Sequence, residues 1–214
     1  ILSEIQSLAL VEGEPVGPID LRLSAGKKAA GRGTLGGVGV PNASVFVIAW
    51  GPLASGAGAT YTGADGTFSR LVPTAAVTAV AVVGAPGGAL SAFEFPLDRP
   101  AELPVSFHGG DVEVEWSEQA AEDPLGQLAL FQNRIQLNLK ALYDWTSSQG
   151  YIPEERSKRL YRAVNVAPGE YHACWLPRSF EIDAVRAGVP ATPPASGCVA
   201  GNLSAGATLR LKVP

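Results

Sequence analysis

The sequence predicts an all-β protein of two tandem β-sandwiches, with one short helix in the second. Three observations predict this class. Short alternating or β-branched segments recur along the 214-residue chain, the 25 glycines and 17 prolines lie between them, and helical periodicity is confined to one stretch of the second half. We expect an N-terminal strand or extension at 1–18, a first sandwich at 19–107 and a second at 108–214.

The first half alternates strand-like segments with glycine-rich turns. Residues 44–50 (SVFVIAW) are rich in β-branched and aromatic residues, which is typical of a strand buried on both faces. In the turn 63–66, Asp65 can accept a hydrogen bond from the backbone ahead of it, and Gly66 can adopt a positive φ. Residues 51–59, rich in Gly, Ala and Ser, are expected to form a loop. The predicted strands are 19–23, 27–34, 44–50, 60–62, 68–72, 75–83, 89–95 and 103–107.

The second half adds further strands and the helix. An acidic link at 118–123 follows its first strand, and a Pro-rich loop is expected at 186–197. Apolar residues at near-helical spacing predict a helix of about two turns within 139–149, which Gly150 stops. The predicted strands are 111–116, 125–131, 135–139, 159–166, 171–176 and 207–213.

The opening segment 1–11 is apolar and alternates only partly. An unpaired apolar strand exposes its backbone groups, so we expect this segment to add a strand to a sandwich or to contact a neighbouring chain. The sequence contains no methionine, and we expect it to begin inside a longer precursor.

Three short motifs follow one another in the first half. They are Gly-Arg-Gly-Thr at 31–34, Gly-Val-Pro-Asn-Ala-Ser-Val at 39–45 and Ala-Asp-Gly-Thr-Phe at 64–68. In this order they resemble the carboxypeptidase regulatory-like family, whose modules are transthyretin-like (prealbumin-like) β-sandwiches. The resemblance implies a transthyretin- or immunoglobulin-like sandwich in the first half.

Two motifs of the second half resemble companion modules of bacterial secreted proteins that carry such domains. They are Val-Ala-Pro-Gly-Glu-Tyr-His-Ala-Cys at 166–174 and the tail from Cys198 to Leu211. The family name refers to a non-catalytic domain found beside peptidases. The resemblance therefore implies support or binding rather than proteolysis.

Charge excludes one class of partner. The net charge is −4, and the longest basic cluster is the four cations at 156–162. Nucleic-acid binders carry a basic face, so we expect no nucleic-acid partner. No transmembrane span is apparent in the sequence.

The two cysteines, Cys174 and Cys198, lie far from any Cys-x-x-Cys pattern. In a Gly- and Pro-rich β protein they most simply form one disulfide, and two buried free thiols are the alternative. A disulfide would clip the base of the Pro-rich loop and place the protein outside the cytoplasm: in the periplasm, on the cell surface or secreted.

No set of residues has the pattern of a catalytic, cofactor or metal site, and we expect none of the three. The glycines at 31, 33 and 36 fit the dinucleotide spacing, but a β-branched strand follows them instead of a helix. His108 and His172 are too far apart in sequence to form a recognisable zinc motif. Glu113 and Glu115 alternate along a strand and are expected to form its solvent face.

Aromatic residues are the best candidates for binding. Side chains on a sandwich surface could stack on sugars or anchor a protein, although at least two of the four tryptophans are expected to be largely buried. The candidate interaction residues are Trp50, Tyr61, Trp145, Tyr151 and Trp175.

The sequence thus favours a non-catalytic extracytoplasmic module with a structural or protein-binding role. It could be an accessory subunit of a larger envelope or membrane-bound assembly. The alternative is a carbohydrate-binding module with polysaccharide as its partner, which would need a planar row of exposed aromatics.

Overall fold

A computed structural model provides the structure of the chain. It describes residues 2–3, 23–24, 26–51, 54–117, 126–138, 142, 145–146, 148–151, 159–177, 179–187 and 189–214. The predicted strand 19–23 lies mostly outside these residues, and so does the acidic link at 118–123.

The described part of the chain is nearly all β, as the sequence predicts. The first half contributes β1 (Leu2–Ser3), β2 (Leu23–Ser24), β3 (Lys27–Leu35), β4 (Val38–Gly39), β5 (Ser44–Gly51), β6 (Ala54–Tyr61), β7 (Thr67–Val72), β8 (Thr78–Gly84), β9 (Leu90–Pro96) and β10 (Ala101–Pro104). The second half contributes β11 (Gly110–Trp116), β12 (Gly126–Gln132), β13 (Ile135–Gln136), β14 (Leu160–Val166), β15 (Gly169–Pro177), α1 (Phe180–Ala187), β16 (Cys198–Leu203) and β17 (Thr208–Val213).

The strands form three larger sheets. The front sheet contains β10, β3 and β4, with β7 paired to β3. The central sheet has seven strands in the order β17-β11-β14-β9-β8-β5-β6. The back sheet has the order β13-β12-β15-β16.

The central sheet draws strands from both halves of the sequence. They meet where β14 pairs with β9 in parallel through Val166 and Leu90, beside a hydrogen bond from Ala167 N to Leu90 O of 2.8 Å. The predicted boundary near residue 107 therefore falls within a continuous sheet. The division into two domains stays a proposal.

Strand β5 is buried over its whole length, which confirms the prediction for 44–50. Its alternate residues enter two cores. The front core lies between the front and central sheets, where β5 contributes Val45, Val47 and Ala49. The shared core lies on the other face, where β5 contributes Phe46, Ile48 and Trp50 and the second half supplies most of the cover.

Residues 54–61 form a strand where the sequence predicts a loop over 51–59. Small residues have weak strand preference, but β6 pairs with β5 along its whole length, from Ser44 with Tyr61 to Gly51 with Ala54. Pairing with a fully buried neighbour outweighs the local preference.

The turn at 63–66 forms as predicted. Asp65 Oδ1 accepts hydrogen bonds from Thr67 N at 3.0 Å and from Thr67 Oγ1 at 2.7 Å. Gly66 has a φ of +83°. The hydrogen bond from the Thr67 backbone is the main reason why the pKa of Asp65 lies below its ordinary value of 3.8.

Helical conformation occurs at residues 142, 145, 146 and 148, inside the predicted helix 139–149. A second helical segment, α1, was not predicted, so the expectation of helix confined to 139–149 is wrong. Phe180 of α1 packs edge-on against Phe131, with ring centroids 6.4 Å apart. No helix in the described part of the chain has the length and apolar character needed to cross a membrane.

Strand β1 pairs antiparallel with β2 through Leu2–Ser24 and Ser3–Leu23. These two strands form a sheet of their own, apart from the three larger sheets, so the expectation that the opening segment adds a strand to a sandwich or contacts a neighbouring chain stays a prediction. The remainder of 1–11 lies outside the described residues.

Candidate functional site

The predicted interaction aromatics do not form a common surface. Trp50 is only 4% exposed, and its place in the shared core corrects the expectation that it could contact a partner. Trp145 and Trp175 are partly buried against the same core. Tyr61, at the end of β6, is 62% exposed.

Each partly buried aromatic has an internal partner. The rings of Trp145 and Phe46 lie 5.5 Å apart, and those of Trp175 and Trp116 lie 6.1 Å apart. Their main contribution is therefore to packing. Among the described residues, the exposed aromatics are Tyr61, at the end of β6, and Phe107, after β10, and two such separate residues make no planar row.

The candidate catalytic and metal-binding residues also stay apart. The glycines at 31 and 33 lie within β3 and Gly36 lies in the turn that follows, with strand β4 next. His172 Nε2 lies 3.4 Å from Glu170 Oε1 on the same strand. No group of three or more His, Cys, Asp or Glu in the described ranges is arranged to hold a metal ion.

The acidic residues of β11 form a charged ladder on the solvent face of the central sheet. Asp111 Oδ2 lies 2.7 Å from Arg162 Nη2, and Glu113 Oε2 lies 3.0 Å from Arg210 Nε. Arg162 also approaches Glu113 at 3.7 Å. The prediction of a charged outer face at Glu113 is confirmed, and such exposed pairs contribute little to stability.

Cys174 and Cys198 are joined by a disulfide, with Cα atoms 4.2 Å apart. The two residues are direct cross-strand partners of β15 and β16. The bond closes the segment that carries α1 and lies beside a small core of Ala129, Phe131 and Leu176. It ties the start of β16 to the centre of the back sheet.

A network of polar groups connects the two halves beside the Leu90–Val166 pair. Gly88 O accepts hydrogen bonds from Tyr151 Oη at 3.0 Å and from Asn165 Nδ2 at 2.9 Å. Asn165 adopts a φ of +49°, a left-handed conformation that asparagine tolerates better than most residues. The turn between β8 and β9 is thus held by two side chains of the second half.

Gln132 makes the corresponding connection inside the protein. Its Oε1 accepts from Ala92 N at 3.0 Å, and its Nε2 donates to Ala167 O at 3.4 Å. Tyr171 Oη donates to the same carbonyl at 2.7 Å, and burial raises the pKa of this phenol. We call Gln132, Tyr151, Asn165 and Tyr171 the seam residues.

Sequence reasoning missed the polar amides of the seam. Gln132 follows an apolar strand-like segment, and a glutamine at such a position is usually expected at the surface, beside a turn. Its burial could not be read from periodicity because its partners, Ala92 N and Ala167 O, are backbone atoms distant in sequence. Asn165 carried one weak signal, since Asn is favoured where φ is positive.

Among the described residues, the cleft beside the seam residues contains no carboxylate oxygen that is free to bind a ligand. The cleft has a volume of about 180 Å³. Both carboxylate oxygens of Asp111 in this cleft are engaged, one by Arg162 and one by Asn165 N. The cleft is lined by Gly109, Gly110, Asp111, Asn165, Gly206, Ala207 and Thr208.

The open end of the central sheet is the clearest surface for contact with another chain. Within the described residues, strand β6 pairs with β5 alone and ends the strand order. Its sequence, Ala-Ser-Gly-Ala-Gly-Ala-Thr-Tyr, contains no charged residue and no proline. Unpaired strand edges of this kind are templates for strand addition.

Comparisons with known proteins add a distant structural likeness. No protein-family profile matches the chain, and no curated protein matches it. The Bacillus anthracis TIE protein aligns with 87% of this chain at 11% identity and a TM-score of 0.28, and this chain spans 34% of it.

Two pilins align over more of their own length. GBS52, the minor pilin of Streptococcus agalactiae, aligns at 10% identity and a TM-score of 0.28, over 83% of this chain and 84% of the pilin. The shaft pilin spaA of Lactobacillus rhamnosus GG aligns at 8% identity and a TM-score of 0.30, over 89% and 98%. Likeness at this level carries no argument about the function of the chain.

Proposed function

We propose that this chain is a non-catalytic structural and protein-interaction module that acts outside the cytoplasm. It holds other proteins at a fixed separation, as an accessory part of a larger envelope or membrane-bound assembly. The resemblance of its motifs to carboxypeptidase regulatory-like domains supports the same reading.

The observation that carries the proposal is the continuity of the two halves. One sheet of seven strands contains strands from both, and residues from both fill the shared core. Separate domains joined by a small polar interface move relative to each other by default. A body with a common sheet and core keeps its ends in fixed relation, which suits a spacer or docking scaffold.

The disulfide supports an extracytoplasmic location. Disulfides persist in oxidising compartments and are rare where thiols are kept reduced. Cys174 and Cys198 account for both cysteines of the sequence. Alkylation of the unreduced, denatured protein from native cells tests this part, and two trapped thiols would contradict the location.

Photo-crosslinking in the native cells tests the interaction role. A photoreactive phenylalanine analogue replaces one exposed residue at a time at Val38, Tyr61, Val77 and Phe107. We expect defined protein adducts from a subset of positions, because a docked partner covers one face. Thr67, an exposed polar position, is the matched control for random collision.

The competing function gives a different result. A carbohydrate-binding module would retain glycans on an array and lose them in Tyr61→Ala, with no protein adduct at any position. That outcome would reject the interaction role.

A further inference from the structure

We propose that Arg70 guards the open edge of the central sheet and prevents β6 from pairing with β6 of a second copy of this chain. This inference does not depend on the proposed function, since it concerns self-association of the purified protein. It rests on the backbone of β6, its sequence and the position of one guanidinium.

On its outer side, the backbone of β6 has no strand partner in the part of the chain that the structure describes. Thr62 N donates to Ala43 O at 3.0 Å, so the backbone of Thr62 points towards β5. Antiparallel pairing alternates this direction with each residue. Residues 58 and 60 therefore bond to β5, while Ala57, Ala59 and Tyr61 direct their N–H and C=O groups to the open side.

The strand itself carries none of the features that normally protect an edge. Charged side chains, prolines and bulges are the usual means, and residues 54–61 contain no charge and no proline. The register with β5 is continuous from Gly51–Ala54 to Ser44–Tyr61. A second copy of the same strand would meet no obstacle from the sequence of β6.

Arg70 supplies the missing protection from the neighbouring strand β7. Phe68 and Val72 flank it on the same face of β7 and are buried in the front core. Arg70 follows the same direction but lies at the exposed margin of the sandwich, where its guanidinium sits over Gly58. A charged residue that points inward at an edge is a known device against edge-to-edge association.

Two contacts hold the guanidinium in place. Nη1 donates to Ala59 O at 3.4 Å, which occupies one acceptor of the open side. A Cβ on Gly58 would collide with the guanidinium nitrogen and carbon atoms, so the space depends on glycine. The pairing of Gly58 with Arg70 thus gives a glycine in a strand a specific role.

A second copy is the occupant that this arrangement excludes. Two β6 strands paired antiparallel about a two-fold axis would bring both Arg70 guanidinium groups beside the same short segment. Each copy would also compete with its own Arg70 for Ala59 O. Repulsion between like charges and loss of this hydrogen bond both oppose the dimer.

Sedimentation velocity of three single variants tests the guard. Arg70→Thr removes the charge and keeps a residue suited to a strand, and it should dimerise at least tenfold more tightly than the native chain. Arg70→Lys keeps the charge and should stay monomeric at the same concentration. Lys28→Thr is the matched control, because it removes one exposed positive charge from β3 of the same sheet and should change nothing.

Cysteine crosslinking locates the contact. Ala57 is exposed on β6, so Ala57→Cys combined with Arg70→Thr should form an intermolecular disulfide, while Ala57→Cys alone should not. If Arg70→Thr fails to fold, Gly58→Ala, which crowds the guanidinium away from β6, takes its place. The proposal would be overturned if Arg70→Thr, or Gly58→Ala in its place, sedimented like the native chain. It would also be overturned if the Ala57→Cys variant that keeps Arg70 formed crosslinked dimers.

Discussion

The two faces of the central sheet solve packing in different ways. Towards the front sheet, β5 and β8 present Ala49, Ala79, Ala81 and small valines. Towards the second half, the same strands present larger groups that include Phe46, Ile48 and Trp50. Two regular sheets can approach closely when the side chains between them are small. On the opposite face, the cover comes from several elements of the second half, and the side chains that pack there are larger.

The two faces of a single strand, β5, thus pack under different requirements: small side chains on one face and large side chains on the other. Ala79 and Ala81 are fully buried on the front face, so we expect a larger side chain there to displace its neighbours. In the shared core we expect the loss of a large side chain to leave a cavity. Enlarging front residues and truncating shared-core residues should therefore both destabilise the protein, through different physical causes.

Among these variants, Trp50→Ala should cause the largest loss of stability. A small loss would contradict the difference between the two faces. Trp50 is 4% exposed in the shared core. Its truncation should lower the free energy of unfolding by about 3–5 kcal/mol, from lost burial and the cavity left behind. Equilibrium urea unfolding measures the change. Trp50→Phe, which keeps most of the volume, should lose clearly less, and equal losses would show that volume is not what the face requires.

Cys174→Ser combined with Cys198→Ser tests a region that neither face supports. The outer side of the back sheet has only a small core, and the disulfide spans a sequence separation of 24. The double variant should lose about 3 kcal/mol by the chain-entropy model. Thermal and urea unfolding of the native protein with and without reductant provide the control. A double variant as stable as the oxidised protein would contradict a stabilising role.

Ala81→Leu sharpens the comparison from the front face. Ala81 is fully buried between the sheets. The added methylenes should cost about 2–3 kcal/mol through strain, because close-packed sheets cannot separate locally. Ala57→Leu, at an exposed position of β6, should change stability by less than about 0.5 kcal/mol. If both variants unfold like the native protein, the front face is not closely packed.

Gln132→Leu tests how the seam couples the two faces. The substitution leaves Ala92 N without its buried acceptor and should cost about 1–2 kcal/mol. A loosened seam should also separate the unfolding followed by tryptophan fluorescence from that followed by circular dichroism. Asn202→Leu, on an exposed residue of β16, is the control. Unchanged stability with coincident transitions would mean that the shared core alone joins the halves.

The smallest expected effect concerns pH and the turn at 63–66, far from both cores. Hydrogen bonds from Thr67 lower the pKa of Asp65 in the folded state below 3.8. Its contribution to stability is therefore complete above that value and is lost as the pH falls through the lowered folded pKa. Asp65→Asn should flatten this acidic part of the stability profile, measured by urea unfolding between pH 2 and 6 (roughly the range in which carboxylates titrate). An unchanged slope below pH 4 would contradict the assignment.

Local chemistry could be predicted where residues near in sequence decide the outcome. The Asp65–Gly66 turn follows from an Asp that bonds the backbone ahead and a glycine at positive φ. The burial of β5 follows from its unbroken apolar run. Both depend on short-range chemistry, so no knowledge of distant partners was needed.

The errors lie where distant partners decide. Strand β6 forms from residues of weak strand preference because β5 supplies the hydrogen bonds. Trp50 was a candidate for partner contact, but it lies in the shared core, to which the second half contributes most residues. Helix α1 was not predicted. Its Phe180 packs against Phe131, which lies 49 positions earlier in the sequence (180 minus 131), so this contact is not visible in the local pattern.

By itself the sequence determined the all-β class, most strand positions and the chemistry of the tight turns. Alternation, β-branching and turn residues act over a few positions, so they can be read directly. Only the tertiary structure decided that both halves share a sheet, that Gln132 is buried at their junction, and that Arg70 lies over Gly58. Each of these depends on backbone groups from distant segments that come together only in the folded chain. A local sequence pattern therefore cannot predict these contacts.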